Sequence, residues 1–314
     1  MRVLGTTGVR VSPLCLGAMM FGSWGNPDHE ESARIIGRAL DAGINFIDTA
    51  DVYSGGESEE IVGKALAGGR RDRIVLATKV HAPMGQDANE RGNSRRWIIR
   101  ECENSLRRLG TDYIDLYQIH DWDGDTPLEE TLRTLDDMMR SGKVRYIGTS
   151  NYAAWQLCKA LWVSDRRNFL RFESVQPSYS LADRAVEREL VPLCLDQGIG
   201  VIAYFPLAGG ILTGKYRRGQ EPPKGSRAVT QPQFARRINE PSLRLSEEVV
   251  ALASEVHCTP SQLALAWLIR QPAVCSAIAG ATSVAQLREN LGALDVKLAD
   301  NVLARLDEVS RPFV

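Results

Sequence analysis

The chain has 314 residues, 44% hydrophobic and 25% charged, enough to bury a sizeable core in one large or two medium domains. Its 38 Lys+Arg balance 39 Asp+Glu to a formal charge of -1, so no basic field points to nucleic acid and no acidic tail to a solvating region. Six cysteines without a CxxC pair and four scattered histidines show no zinc spacing, and the longest apolar stretch, Val201 to Leu212, is too short to span a bilayer. With no leader pattern in MRVLGTTGVR, the expectation is a cytoplasmic protein with buried free thiols, no membrane span and no metal.

The first segment, MRVLGTTGVRVS, has two short extended runs around Gly5-Thr6-Thr7-Gly8 and reads as a hairpin capping one end of the fold. Strands are then predicted near Leu14 to Ala18, Asn45 to Asp48, Ile74 to Lys79, Tyr113 to His120, Val144 to Ser150, Phe172 to Gln176, Gly200 to Tyr204 and Cys275 to Gly280. Between them, EESARIIGRALDAG closes with Gly43 and SRRWIIRECENSLRRLG with Gly110, while TPLEETLRTLDDMMRSG starts at Thr126-Pro127 and closes with Gly142. Ser or Thr before a helix, Pro in its first turn and Gly past its end satisfy or avoid the orphan backbone groups there. Eight strand and helix units with no linker predict a single domain over residues 1–314. Its expected fold is a (β/α)8 barrel, a TIM barrel in the α/β class, with a doubly wound sheet and second domain as the alternative. The stretch from Pro206 to Pro241, after the seventh barrel strand, is too long for a simple connection and reads as a lid or ligand clamp.

Parallel barrel strands are apolar on both faces, yet these end on polar residues: Asp48, Lys79, His120, Ser150-Asn151 and Gln176. Active sites of such barrels sit at the C-terminal strand ends. Reduction of a carbonyl by hydride leaves an oxyanion that needs a proton, and Tyr53, five residues after Asp48, is a fitting acid. A tyrosine titrates near ~10, and an ammonium at Lys79 is expected to lower that value. Asp48 would hold Lys79 charged, and His120 would orient the carbonyl. Singly, each residue has a plainer reading: His120 as a packing histidine, Lys79 as a solvated strand end, Tyr53 as part of the turn YSGGES. Asp51 and Asp121 read as loop carboxylates.

The motifs DTADVYSGGESEEIVGKAL, ATKV, LYQIHDWDGDTPLEETL, KVRYIGTSNY, SVQPSYS and AYFPLAGGILTGKY resemble, in order, those of the aldo-keto reductases, in the bacterial branch similar to potassium-channel β subunits. The resemblance implies that Tyr204 stacks on a nicotinamide whose carboxamide bonds Ser150, Asn151 and Gln176. It further implies that Pro206, Leu207, Gly210, Lys215 and Arg227 line the pyrophosphate and adenosine path, together with Gly280, Thr282, Gln286, Glu289 and Asn290 from AGATSVAQLREN. No GxGxxG follows the first strand. The GxxxxGK formed by Gly209 and Gly214-Lys215 has Tyr216 where a P-loop needs Ser or Thr. Many relatives carry Lys or Arg where this chain has Gly280-Ala281-Thr282, so Lys215 and Arg227 are assigned the 2′-phosphate; NADPH is favoured, with NADH the alternative. Phe205, where Ser is common, is expected to make the pyrophosphate side more apolar.

Met19, Met20, Phe21, Trp24 and Trp122 are expected at the rim, an apolar wall suited to a hydrophobic aldehyde or ketone, or simply packing of the barrel mouth. Two functions follow: NADPH-dependent carbonyl reduction with Tyr53 as acid, and a nicotinamide-nucleotide-sensing subunit with little turnover. Oligomeric state and the physiological substrate are not legible in the sequence.

Overall fold

The computed structural model describes residues 1–231 and 234–314. Two short antiparallel strands, β1 (Arg2–Val3) and β2 (Arg10–Val11), open the chain. Eight parallel strands then close into a barrel: β3 (Leu14–Gly17), β4 (Phe46–Asp48), β5 (Val75–Val80), β6 (Ile114–Ile119), β7 (Val144–Ser150), β8 (Ser174–Gln176), β9 (Gly200–Ala203) and β10 (Val274–Gly280). This is the expected (β/α)8 barrel with its N-terminal hairpin. The doubly wound alternative is set aside because β10 pairs with both β9 and β3, leaving no open edge.

Six of the helices on the outer face are α1 (His29–Asp41), α2 (Glu57–Leu66), α3 (Arg95–Leu109), α4 (Leu128–Arg140), α5 (Ala154–Arg167) and α6 (Leu190–Gln197). Asp28 caps α1 by accepting from the amides of Glu30 and Glu31, and Ser94 caps α3 by accepting from Trp97. Gly110, at φ 62°, ends α3 in the left-handed conformation its sequence position predicts. The start of α4 differs from the sequence reading. Its N-cap is Pro127, and the hydroxyl of Thr126 donates to the Asp123 carboxylate at 2.6 Å, an anionic acceptor that outcompetes a capping role.

Alternation along the strands divides the core in two. Outward residues such as Ile47, Leu76, Val80 and Tyr117 pack under the helices. Inward residues Phe46, Val75, Ala77, Leu116 and Ile202 fill the barrel bore, joined from below by Leu4 and Val11 of the hairpin segment. The hairpin fits because Gly5 has φ 57° and because a Cβ there would lie 2.3 Å from the carbonyl oxygen of Glu173. Thr6 fastens it by donating from both its amide and hydroxyl to Glu173 Oε2, at 2.9 and 2.8 Å. One end of the barrel is therefore a closed apolar plug.

Going up the bore, the next inward positions after Phe46, Ala77 and Leu116 are Asp48, Lys79 and Gln118. The polar strand ends thus meet in one layer above the plug. The long segment after β9 begins with a tight turn at Ala208–Thr213, in which Gly209 and Gly210 take positive φ. Gly214-Lys215 is followed by irregular chain, not the helix a P-loop requires. No described helix is long and apolar enough to cross a membrane, and no metal-holding cluster of His, Cys, Asp and Glu occurs among the described residues. All six cysteines are free; Cys158 is exposed, against the expectation of burial, because it lies on the outward side of α5.

Candidate active site

Lys79 is fully buried, not the solvated strand end its type suggests. Its Nζ donates to Asp48 Oδ1 at 2.5 Å, to the carbonyl of Thr49 at 2.8 Å and to Tyr53 Oη at 3.2 Å. Burial opposes its charge, but Asp48 and Tyr53 outweigh that cost and hold its pKa above the ordinary lysine value. The second carboxylate oxygen of Asp48 accepts from Gln118 Nε2 at 3.1 Å and Gln176 Nε2 at 2.9 Å. A buried ion pair with its remaining lone pairs satisfied is the arrangement in which such a pair is tolerable. Gln118 was missed in the sequence, although its place two residues before His120 puts it on the same inward face.

Tyr53 begins the turn Tyr53–Gly56, whose Ser54, Gly55 and Gly56 all have positive φ. Its phenol is partly open to the cavity. The expected lowering of the Tyr53 pKa does not occur. Burial raises it most, Lys79 lowers it by less than burial raises it, and Asp48 adds to the rise. Tyr53 is therefore protonated at neutral pH. His120 stands edge-on to Tyr53, ring centroids 5.8 Å apart and planes at 78°. Burial, with Lys79 and His81 nearby, brings its pKa down to about 3, so the imidazole is neutral, and its Nδ1 is buried without a hydrogen-bond partner.

Above these groups lies a cavity of about 720 Å³, within the range of a small-molecule or cofactor site. Asp48, Tyr53 and His120 line its floor. Every residue assigned to a nicotinamide dinucleotide also lines it: Ser150, Asn151, Gln176, Tyr204, Phe205, Pro206, Leu207, Gly210, Lys215, Arg227, Gly280, Thr282, Gln286, Glu289 and Asn290. Tyr204 Oη donates to Asn151 Oδ1 at 2.8 Å, Asn151 Nδ2 donates to the His120 carbonyl at 3.0 Å, and Ser150 Oγ donates to the Gln176 carbonyl at 2.9 Å. Ser150 and Asn151 keep further bonding capacity for a carboxamide: a hydroxyl lone pair and the second N–H of the Asn151 amide. Gly210, at φ 98°, leaves its Cα bare against Lys215; a Cβ there would stand 2.4 Å from Lys215 Nζ.

At the other end of the cavity Lys215 and Arg227 form no ion pair among the described residues. Phe205 stacks on Phe234 with centroids 5.3 Å apart and planes at 7°, and Arg227 lies 5.1 Å from the Phe205 ring centroid. Phe205 thus gives this part of the cavity an aromatic face, with the Arg227 cation beside it. An aromatic pair beside two cations and a bare glycine surface suits a flat base and phosphates. On the rim, Met19 and Met20 line the cavity, whereas Phe21 is completely buried in the core. Trp24 is half exposed, 6.0 Å from Tyr53 between ring centroids. Trp122 does not line the cavity; it packs edge-on against Tyr152 and Trp155, at 5.2 and 5.5 Å. Asp121 is an exposed loop carboxylate as expected, but Asp51 is fully buried.

The aldo/keto reductase family profile matches residues 13–311. An uncharacterized oxidoreductase of Bacillus subtilis is 40% identical over 98% of this chain and 94% of its own length. A probable voltage-gated potassium channel subunit beta of Arabidopsis thaliana is 37% identical over 98% of this chain and 95% of its own. A versiconal hemiacetal acetate reductase of Aspergillus parasiticus is 35% identical over 99% of this chain and 96% of its own. A family match that spans the barrel, with reductase-named relatives along the whole chain, agrees with the geometry of the strand ends: the chain belongs to the aldo/keto reductase family and is an oxidoreductase acting on carbonyl groups with a nicotinamide cofactor.

Proposed function

We propose that the protein reduces an aldehyde or ketone to the alcohol with NADPH, using Tyr53 as the general acid. The observation that carries this reading is the chain of contacts at the cavity floor, in which Tyr53 Oη lies 3.2 Å from Lys79 Nζ and Lys79 lies 2.5 Å from Asp48. Bound in the cavity, the reduced nicotinamide supplies the hydride. Tyr53, protonated at neutral pH, gives its proton to the carbonyl oxygen as that oxygen gains charge. Lys79 then faces the resulting phenolate at hydrogen-bond distance, and Asp48 keeps Lys79 charged and fixed. His120, neutral, is placed to donate to the same oxygen and hold the carbonyl in line.

Ser150, Asn151, Gln176 and Tyr204 would hold the nicotinamide, and Lys215 and Arg227 would grip the adenosine end, which favours NADPH over NADH. Met19, with Trp24 beside Tyr53, would wall the acceptor and favour an apolar aldehyde or ketone, although Trp24, like Trp122, is not among the residues lining the cavity. We read residues 1–314 as one domain, and the six unpaired cysteines fit a reducing, cytoplasmic setting.

The test is a panel of aromatic and aliphatic aldehydes with NADPH and NADH, run on the protein and on Tyr53→Phe. The substitution is expected to cost about 10²–10⁴-fold in kcat while NADPH affinity is kept; equal rates would overturn the role of Tyr53. The relatives named as potassium channel β subunits, at 38% and 37% identity, support a second reading as a nucleotide-sensing subunit. NADPH binding without turnover across the whole panel would favour it.

A further inference from the structure

Behind the barrel wall, on the side away from the cavity, three buried carboxylates gather around one cation. Glu59 of α2 and Glu101 of α3 are 0% and 1% exposed, and Arg108 of α3 bonds both, reaching Glu59 Oε2 from Nε at 2.6 Å. Asp51, on the loop after β4, is the third: it is 0% exposed, its Oδ1 accepts from the Val52 amide at 2.7 Å, and its Oδ2 has no partner. The groups acting on Asp51 are Glu59, Glu101 and Arg108, and across the strand Tyr117 of β6, whose hydroxyl is also buried without a partner.

This cluster touches both halves of the proposed acid site. Thr78, the residue before Lys79, donates to Glu59 Oε1 at 2.5 Å from the outer face of β5. Gly56, which closes the Tyr53 turn, has no room for a side chain, because a Cβ would stand 2.8 Å from Arg108 Cδ and 3.1 Å from its Nε. Asp51 itself precedes Tyr53 by two residues, and its amide donates to the carbonyl of Lys79 at 3.2 Å. The strand carrying Lys79 and the turn carrying Tyr53 are thus fastened to one set of charges.

Three ionised carboxylates would leave that set with a large uncompensated negative charge out of reach of water, a state proteins avoid by neutralising a member. Arg108 is committed to Glu59 and Glu101, so Asp51 is the member without a cation. We propose that Asp51 is a positioning residue: an uncharged carboxylic acid, buried beneath the Tyr53 turn, that fixes Tyr53 against Lys79 without touching substrate or cofactor. Its pKa agrees in direction, since burial first, and then Glu59 and Glu101, raise it well above the usual carboxylate range. The proposal rests on the reading of Tyr53 as the acid.

The experiment compares Asp51→Ala, Asp51→Asn and Tyr53→Phe with the parent protein, using NADPH and the aldehyde turned over best in the panel. Asp51→Ala is expected to lose about 10–10²-fold in kcat, the scale of a misplacement near 1 Å, with NADPH affinity by fluorescence titration unchanged. Asp51→Asn, neutral and of the same shape, should recover most of that loss, and its alkaline limb of kcat/KM against pH should coincide with the parent's. An Asp51→Asn protein as slow as Asp51→Ala overturns the proposal, as does a fully active Asp51→Ala. So does an alkaline limb moved to lower pH in Asp51→Asn, which would mean a negative charge beside Tyr53 had been removed. If Asp51→Ala does not fold, Asp51→Asn decides by its pH profile. A fully active Tyr53→Phe would instead overturn the acid assignment, whatever Asp51 does.

Discussion

The two ends of this barrel are built from the same strands and do opposite work. At the N-terminal end the inward residues are Phe46, Val75, Leu116 and Ile202, sealed by Leu4 and Val11 from the hairpin segment. At the C-terminal end the same strands continue with Asp48, Lys79, Gln118 and His120, beneath a cavity of about 720 Å³. The closed end converts apolar surface into stability, and that stability offsets the cost of burying an ion pair one layer above it. A residue's height in the bore therefore decides what its loss does.

Substitution at either end tests that division. Lys79→Met should have the largest combined effect, since it leaves Asp48 buried without its cation: a loss of about 3–5 kcal/mol in denaturant unfolding, together with loss of turnover. Little change in stability would mean Asp48 is not held as an ion. Leu4→Ala, in the plug, should cost about 2–5 kcal/mol in the same unfolding measurement while kcat/KM at 25 °C stays close to the parent's. A matching fall in kcat/KM would show that the two ends are not separable.

Within the cavity the contrast narrows to its own two ends. Lys215→Ala should weaken NADPH by about tenfold, roughly one charge-assisted hydrogen bond, and leave NADH unchanged. An unchanged KM for NADPH would remove Lys215 from the 2′-phosphate. The smallest effect expected is in the acid limb of the pH profile. His120 has its pKa depressed to about 3, so it stays neutral as pH falls through the usual histidine range, and kcat/KM should show no inflection between pH 5 and 8 from this residue. An inflection near 6.5 that vanishes in His120→Asn would place a charge on the imidazole.

Much of this was legible in the sequence because barrels repeat. Eight strand runs separated by capped helices specify the architecture, and the rule that sites sit at strand ends picked out Asp48, Lys79 and His120 before any geometry. Period-two alternation would also have found Gln118. The helix start at Pro127 was misread because Thr126 had a better acceptor in Asp123, a competitor that capping rules do not weigh.

What sequence alone determined is the set of groups and their order along the chain: which strands, which polar ends, which family. What only the tertiary structure decided is how those groups act on one another. The sign of the Tyr53 shift is set first by burial of the phenol, which outweighs the opposing charge of Lys79 and is reinforced by Asp48, and no spacing encodes that balance. Trp122 packs on Tyr152 and Trp155, and Asp51, a loop carboxylate in the same reading as the exposed Asp121, is buried. Burial and electrostatic balance are sums over neighbours brought from distant parts of the chain, and they exist only once the barrel has closed.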